Sequence, residues 1–395
     1  MIRKFRLRFL MLFVFCLTGA AILHSCKTEP SDLGINFIDP NDTTGTFILD
    51  SQADTMAITS NNYKKPVNTY NSPYIMIGAA QNYETKSFLK YNDIFTDYDS
   101  ATVVSSVLYL NYANYAYTDS NGSISFNIYR VNRDLNLASV TWDSIMASDI
   151  GTTILGTYSG TPVDSETISI ALDVQLIKDW LEYSADTNYP VKNYGIAIIP
   201  NLSSNSIKAF SSSFTSRDPY IQSIVTKNGE TDTLTMNSSL SLWLANAPTS
   251  VLMPDRFTLQ NGIAFNDLMG FNLTKLPSNV IINDALLILT LDTVNSFILR
   301  TSDRRLRIGA ASDSVNKTDT TLNPIISLTP VNGVYEIRLT PYFQYWNNGT
   351  YPNLGVILAN VNQFTNLDEF VFYSPSYSDL TKVPRLRIRY TPRLP

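Results

Sequence analysis

The chain has 395 residues, with 29 Lys and Arg against 34 Asp and Glu, a formal net charge of −5, one His and two Cys. This length exceeds what one core usually serves and points to two domains. The acidic balance, without a glycine-rich phosphate loop or a long basic run, excludes nucleic acid and nucleotides as expected partners.

In chain order, Arg3, Lys4, Arg6 and Arg8 precede an apolar run, Phe9 to Leu23. That run falls short of the ~20 residues a spanning helix needs. Ser25 then stands directly before Cys26. The stretch resembles a bacterial lipoprotein signal, which implies cleavage before Cys26 and lipidation of Cys26 at its thiol and new amino end. Processing would remove residues 1–25, and with them His24, Cys16 and four basic residues, leaving 25 basic against 34 acidic, or −9. A mature chain without imidazole or free thiol cannot assemble Ser-His-Asp or Cys-His catalysis, zinc sites built on those residues, or a disulfide. No cofactor and no metal is expected. The lipid is the expected membrane attachment. Lys27 after the cysteine, in place of an inner-membrane retention aspartate, favours the outer membrane and leaves periplasmic and exterior faces open.

Residues 26–45 are rich in Pro, Asp, Asn, Thr and Gly and read as a tether. The rest of the chain looks all-β: 23 Tyr and 19 Phe over the full sequence, with abundant Ser, Thr and Asn, suit strands joined by turns. Asn121-Gly122 reads as a hairpin turn between two alternating runs, and Asn228-Gly229 and Asn332-Gly333 are similar candidates. One helix is expected, from an Asp173 N-cap to Tyr183, with Val174, Ile177, Trp180 and Leu181 at helical spacing. Two strands alternate clearly: Tyr335, Ile337 and Leu339 inward, and Leu386, Ile388 and Tyr390 inward with Arg385, Arg387 and Arg389 outward.

The chain repeats itself in order. Ser87–Ile94 is similar to Gly262–Leu268, and Val103–Leu110 to Ile281–Ile288. Trp180, Tyr189-Pro190 and Tyr194-Gly195-Ile196 parallel Trp346, Tyr351-Pro352 and Leu354-Gly355-Val356. Phe210-Ser-Ser-Ser-Phe parallels Phe372-Tyr-Ser-Pro-Ser. A duplicated domain follows, with residues 46–230 as the first β-sandwich and 231–395 as the second.

Ser87-Phe-Leu-Lys-Tyr-Asn, Ala101–Leu110, Asn127-Ile-Tyr-Arg-Val, Val140-Thr-Trp-Asp143 and Asn193-Tyr-Gly-Ile-Ala resemble the DNRLRE (disaggregatase-related) domains. The second repeat keeps the framework without Thr-Trp-Asp. The whole chain also resembles a Bacteroidota family of lipoproteins with a domain of unknown function, through Ser31-Asp-Leu-Gly34 in the tether. These resemblances imply an all-β fold, two tandem jelly-roll-like antiparallel β-sandwiches after a lipoprotein signal peptide and flexible tether, at the cell envelope and often near polysaccharide.

Candidate functional residues follow. Tyr112, Tyr115 and Tyr117, with Tyr109, would stack on sugar rings, the alternative being ordinary sheet packing. Arg385, Arg387 and Arg389, near Arg300, Arg304, Arg305 and Arg307, would grip an anionic glycan or lipid, or else form a solvated face that discourages aggregation. Trp142, Trp180 and Trp346 are expected in the core, and Trp243 is ambiguous. Asp93, Asp97 and Asp99 cluster in a loop, for calcium or for glycoside hydrolysis. Thr43, Thr55, Ser100, Ser144, Thr233, Thr293, Ser314 and Thr320 each follow Asp in a pattern that resembles the O-glycosylation motif of Bacteroidota envelope proteins; the alternative is a turn entering a strand. The leading expectation is a non-catalytic binding or adhesion module for glycan or another envelope component. A structural or accessory subunit of an outer-membrane assembly is the alternative, and a carboxylate-dependent glycan hydrolase the third reading.

Overall fold

The computed structural model describes residues 45–54, 56–201, 203–246 and 252–393. Cys26, Thr43 and Thr55 lie outside the described residues. Two strands come first, β1 (Phe47–Asp50) and β2 (Ile58–Lys64). A first block follows: β3 (Tyr74–Ala80), β4 (Tyr83–Lys90), β5 (Thr102–Tyr117), β6 (Ile124–Arg130), β7 (Gly156–Gly160), β8 (Thr167–Ala171), the helix Val174–Ala185, β9 (Ile196–Pro200), β10 (Ile207–Ser211) and β11 (Tyr220–Lys227). Then come β12 (Glu230–Asn237) and β13 (Leu240–Asn246). The second block runs β14 (Arg256–Gln260), β15 (Phe265–Phe271), β16 (Ile281–Thr290), β17 (Leu306–Asp313), β18 (Thr318–Asp319), β19 (Ile325–Ile326), β20 (Val334–Arg338), the helix Thr340–Asn347, β21 (Val356–Asn360), β22 (Glu369–Tyr373) and β23 (Arg385–Thr391).

The protein is all-β, and its strands form two antiparallel sandwiches. In the first, the order β12-β11-β5-β8 faces β13-β4-β9-β6-β7, and β10 and β3 join the two layers into one wrapped sheet. In the second, β1-β23-β16-β20 faces β18-β17-β21-β15-β14-β22, with β2 on β15. Each sandwich has a main core, the first around Leu108, Ile170 and Trp180, the second around Leu287, Ile337 and Phe343, and a smaller cluster beside it, around Phe88 and Leu242 in the first and Leu268 and Ile357 in the second. Among the described residues, no helix is long and apolar enough to cross a membrane.

The duplication is visible in contacts. Trp180 packs on Tyr91 with ring centroids 5.5 Å apart, and Trp346 on Phe271 at 6.2 Å. Asn193 donates to the Tyr91 carbonyl at 2.6 Å, and Asn353 to the Phe271 carbonyl at 2.8 Å. The helix at Val174–Ala185 has its expected cap, since Asp173 accepts from the Gln175 amide at 2.9 Å. Its counterpart Thr340–Asn347 is a helix the sequence pattern did not single out, opened by Pro341 in its first turn.

The structure corrects several expectations. Leu108 pairs with Ile170 and Leu287 with Ile337, so Val103–Leu110 matches a segment one residue beyond Ile281–Ile288. Tyr91 corresponds to Phe271, so the first repeat pair is also out of register. Asn121-Gly122 makes no hairpin, because β5 and β6 lie in different layers and do not pair. Asn228-Gly229 and Asn332-Gly333 do make two-residue turns, with positive φ at both residues of each. The sheets also ignore the expected division at residue 230. β12 and β13 belong to the first sandwich, while β1 and β2 belong to the second.

Candidate functional site

The sequence-nominated residues do not form one site. Tyr112, Tyr115 and Tyr117 are buried, because the 16-residue β5 turns from one layer into the other and its second half is covered on both faces apart from Asn114. They cannot stack on a sugar. Tyr115 donates to Asp368 at 3.4 Å, Tyr117 donates to Glu369 at 3.1 Å, and Phe297 packs edge-on against Tyr117 at 4.9 Å. These tyrosines form the seam between the two sandwiches. Burial raises the hydroxyls of both above the ordinary value, and burial likewise raises the carboxyls of Asp368 and Glu369.

Arg385 is bound to Asp50 of β1, with Nε–O distances of 3.0 Å, so its guanidinium is engaged. Burial pushes the Asp50 carboxyl up, and hydrogen bonds from Arg385 and the Gln52 amide more than offset that, leaving it low. Arg387 is half-buried and Arg389 exposed. Lys227 binds the Asp99 carboxylate and the Asp97 carbonyl, each at 2.8 Å, and among the described residues no acidic group of three converges on a metal position. Trp243 is fully buried and Trp142 only half-buried, its ring under Lys86 at 4.0 Å. Ser100, Ser144, Thr233, Thr293 and Ser314 are exposed and Thr320 is half-buried.

A different site comes from the fold. At one end of the first sandwich, the β3–β4 turn, the middle of β6, the end of β9 and the end of β13 enclose a groove of about 700 Å³. Gln81 and Asn82 occupy the turn with φ of 49° and 72°, a conformation that projects both side chains outward and suits Asn. Asn127 and Tyr129 lie two apart on β6 and so share one face, where the Asn127 amide donates to the Tyr129 hydroxyl at 3.2 Å. Asn201 and Ser204 come from the loop after β9, and Asn246 ends β13, where it accepts from the Lys64 ammonium. Tyr83 is buried at the base, and its ring meets Tyr117 at 5.2 Å. Burial raises its hydroxyl, with the Glu369 charge adding to the effect, so it stays protonated.

Five carboxamides thus line one opening, each able to donate and to accept, beside a half-exposed tyrosine. Vicinal hydroxyls of a sugar ask for that mixture, and the volume lies in the range of small-molecule sites. Only Glu84 among the lining residues carries a charge, so the groove suits a neutral ligand. The sequence offered faint signals, a polar Gln-Asn turn and the Asn127–Tyr129 alternation. Neither reveals that four distant segments meet.

A third acid raised by burial, Asp267 of β15, is fully buried. Burial raises its carboxyl to about 7, partly countered by the Ser60 hydroxyl, which donates at 2.6 Å. With no exposed surface it offers a substrate no access.

No family model and no curated protein matches the chain. Among solved structures it is similar to one described as BspA_C_WT, at 10% identity over 86% of this chain and 85% of that chain, with a TM-score of 0.12. A likeness at that level carries no argument about fold or function.

Proposed function

We propose that this is an envelope lipoprotein, attached through lipid on Cys26 to the outer membrane, that binds a neutral glycan without catalysis in the groove between the β3–β4 turn and β6. The observation that carries the reading is the convergence there of Gln81, Asn82, Asn127, Asn201 and Asn246 around Tyr129. The ligand would be held by paired hydrogen bonds and by one aromatic face on a rigid sheet, with little ordering cost. The signal-like residues 1–26 and the DNRLRE and Bacteroidota lipoprotein resemblances support the location. The exposed Asp-linked Ser100, Ser144, Thr233, Thr293 and Ser314 are open to O-glycosylation. The crossing of strands between sandwiches favours a second reading, a structural subunit of an outer-membrane assembly.

Calorimetric titration of the Lys27–Pro395 chain with neutral polysaccharides tests the first reading. Tyr129→Ala and Asn127→Ala should each weaken binding about fivefold to tenfold, as expected for roughly 1 kcal/mol per contact, while Arg389→Ala leaves it unchanged. No binding across the panel, or binding that neither groove substitution alters, rejects it.

A further inference from the structure

Each sandwich is completed by two strands that the sequence repeat assigns to the other half of the chain. The β12–β13 pair leads into the second block, yet β12 lies along β11 and β13 along β4. The β1–β2 pair leads into the first block, yet β1 lies along β23 and β2 along β15. The positions are equivalent, since Ser241 stands opposite Leu89 as Ser60 stands opposite Met269. One donation is fixed covalently by the two-residue turn Asn228-Gly229 between β11 and β12. The other closes the ring and reaches its acceptor only through residues 65–73.

We propose that the second sandwich also accepts β1 and β2 from a second copy of this chain, so that copies join by exchanging Phe47–Lys64. The junction between copies would continue the interface that β12–β13 already makes inside one chain, with the same antiparallel neighbours. The acceptor cannot stand empty. Met56 is buried in the second core, Leu49 and Ile58 pack on it, Arg385 holds Asp50, and Ser60 donates to one oxygen of buried Asp267. An unfilled groove would bare that apolar surface and two strand edges, so a segment that leaves must be replaced by a like one. The hinge carries Pro66 and Pro73, which favour extended backbone, and it is pinned to the first sandwich by Asn68 on the Leu137 and Val140 carbonyls.

Ile48 and Arg389 are exposed and stand opposite each other in the β1–β23 ladder. Full-length chains carrying Ile48→Cys alone and Arg389→Cys alone are co-produced in the envelope and oxidised. The expected result is a covalent pair of chains well above the background of either variant alone. Chains carrying both substitutions should close within themselves and also link to one another. Double-variant chains that link only internally, with single-variant chains left unlinked, overturn the proposal. Light scattering on the unsubstituted, detergent-extracted protein provides a readout independent of disulfide formation. A single-copy mass at every concentration overturns the proposal, and a mass of two or more copies supports it.

Discussion

Asn193 and Asn353 fix the same crossing in both sandwiches. Each side chain donates to the carbonyl of the aromatic residue that packs on the helix Trp and accepts from the glycine amide two positions on, at 3.1 Å from Gly195 and 3.3 Å from Gly355. Those glycines have φ of 89° and 87°, and an added Cβ would fall on the carbonyl oxygen of Leu89 or Met269. Gly355→Ala should therefore cost about 1–3 kcal/mol in urea unfolding, and Asn353→Ala about as much by stranding the Phe271 carbonyl. Asp267 makes a prediction of opposite sign. Its folded carboxyl is raised to about 7 against an unfolded value near ~3.9, so the folded state binds the extra proton. Stability should fall as pH rises between those values, by on the order of 4 kcal/mol, with Asp368 and Glu369 acting in the same direction. Asp267→Asn should raise the melting temperature at pH well above 7 and flatten its pH dependence; an unchanged profile rejects the assignment. The glycines were legible in the repeated Tyr194-Gly195-Ile196 and Leu354-Gly355-Val356, without the paired asparagines, and Asp267 was not legible as buried. In sequence it lies in the repeated segment Gly262–Leu268 beside polar Asn266, and only the strands on either side reveal its burial.

At the scale of elements, burial of one aromatic decides where each helix sits. Trp180 is fully buried and Trp346 nearly so, each against the aromatic residue of the facing strand. Trp180→Ala and Trp346→Ala should each lower unfolding free energy by about 3–5 kcal/mol, read from chemical denaturation by near-ultraviolet circular dichroism. The first helix was legible because Asp173 caps a twelve-residue amphipathic run. The second has eight residues and no side-chain cap, so helical periodicity had too little length to show. Alternation served well for β20 and β23, which have one face outward: Tyr335, Ile337, Leu386 and Ile388 are all buried. It failed for the second half of β5, where Asn111, Tyr112, Tyr115, Ala116 and Tyr117 are all buried and leave no clear polar phase to read. The groove was illegible for a related reason. Four of its five amides sit where strands end, and sequence places no two strand ends side by side without the sheet order.

At the scale of the whole molecule, the two-domain count was legible and the division was not, because repeats in sequence and sandwiches in space do not coincide. A ladder from Phe47↔Tyr390 to Asp50↔Arg387 joins the first described strand to the last, mirroring the Tyr220↔Asn237 to Lys227↔Glu230 ladder that the Asn228-Gly229 turn closes. The two junctions are quasi-equivalent, so the covalent link at one and the gap at the other are interchangeable. A circular permutant with a short turn joining Thr391 to Phe47, and new ends between Asn228 and Gly229, should then fold with the same circular dichroism spectrum and cooperative unfolding. A chain that merely lacks residues 45–64 should instead lose the second sandwich, because Met56, Leu49 and Ile58 leave its core together and β15 and β23 lose their outer partners. Linking the ends also fixes β1 and β2 to their acceptor as firmly as β12 and β13 are fixed to theirs. The permutant loses that symmetry at its new cut, where β12 now leads the chain and becomes the segment free to leave. Hydrogen exchange should report the swap directly: amides of β1 and β2 gain protection while those of β12 and β13 lose it. Unchanged protection at both junctions would mean that the covalent turn contributes nothing to holding the donated strands.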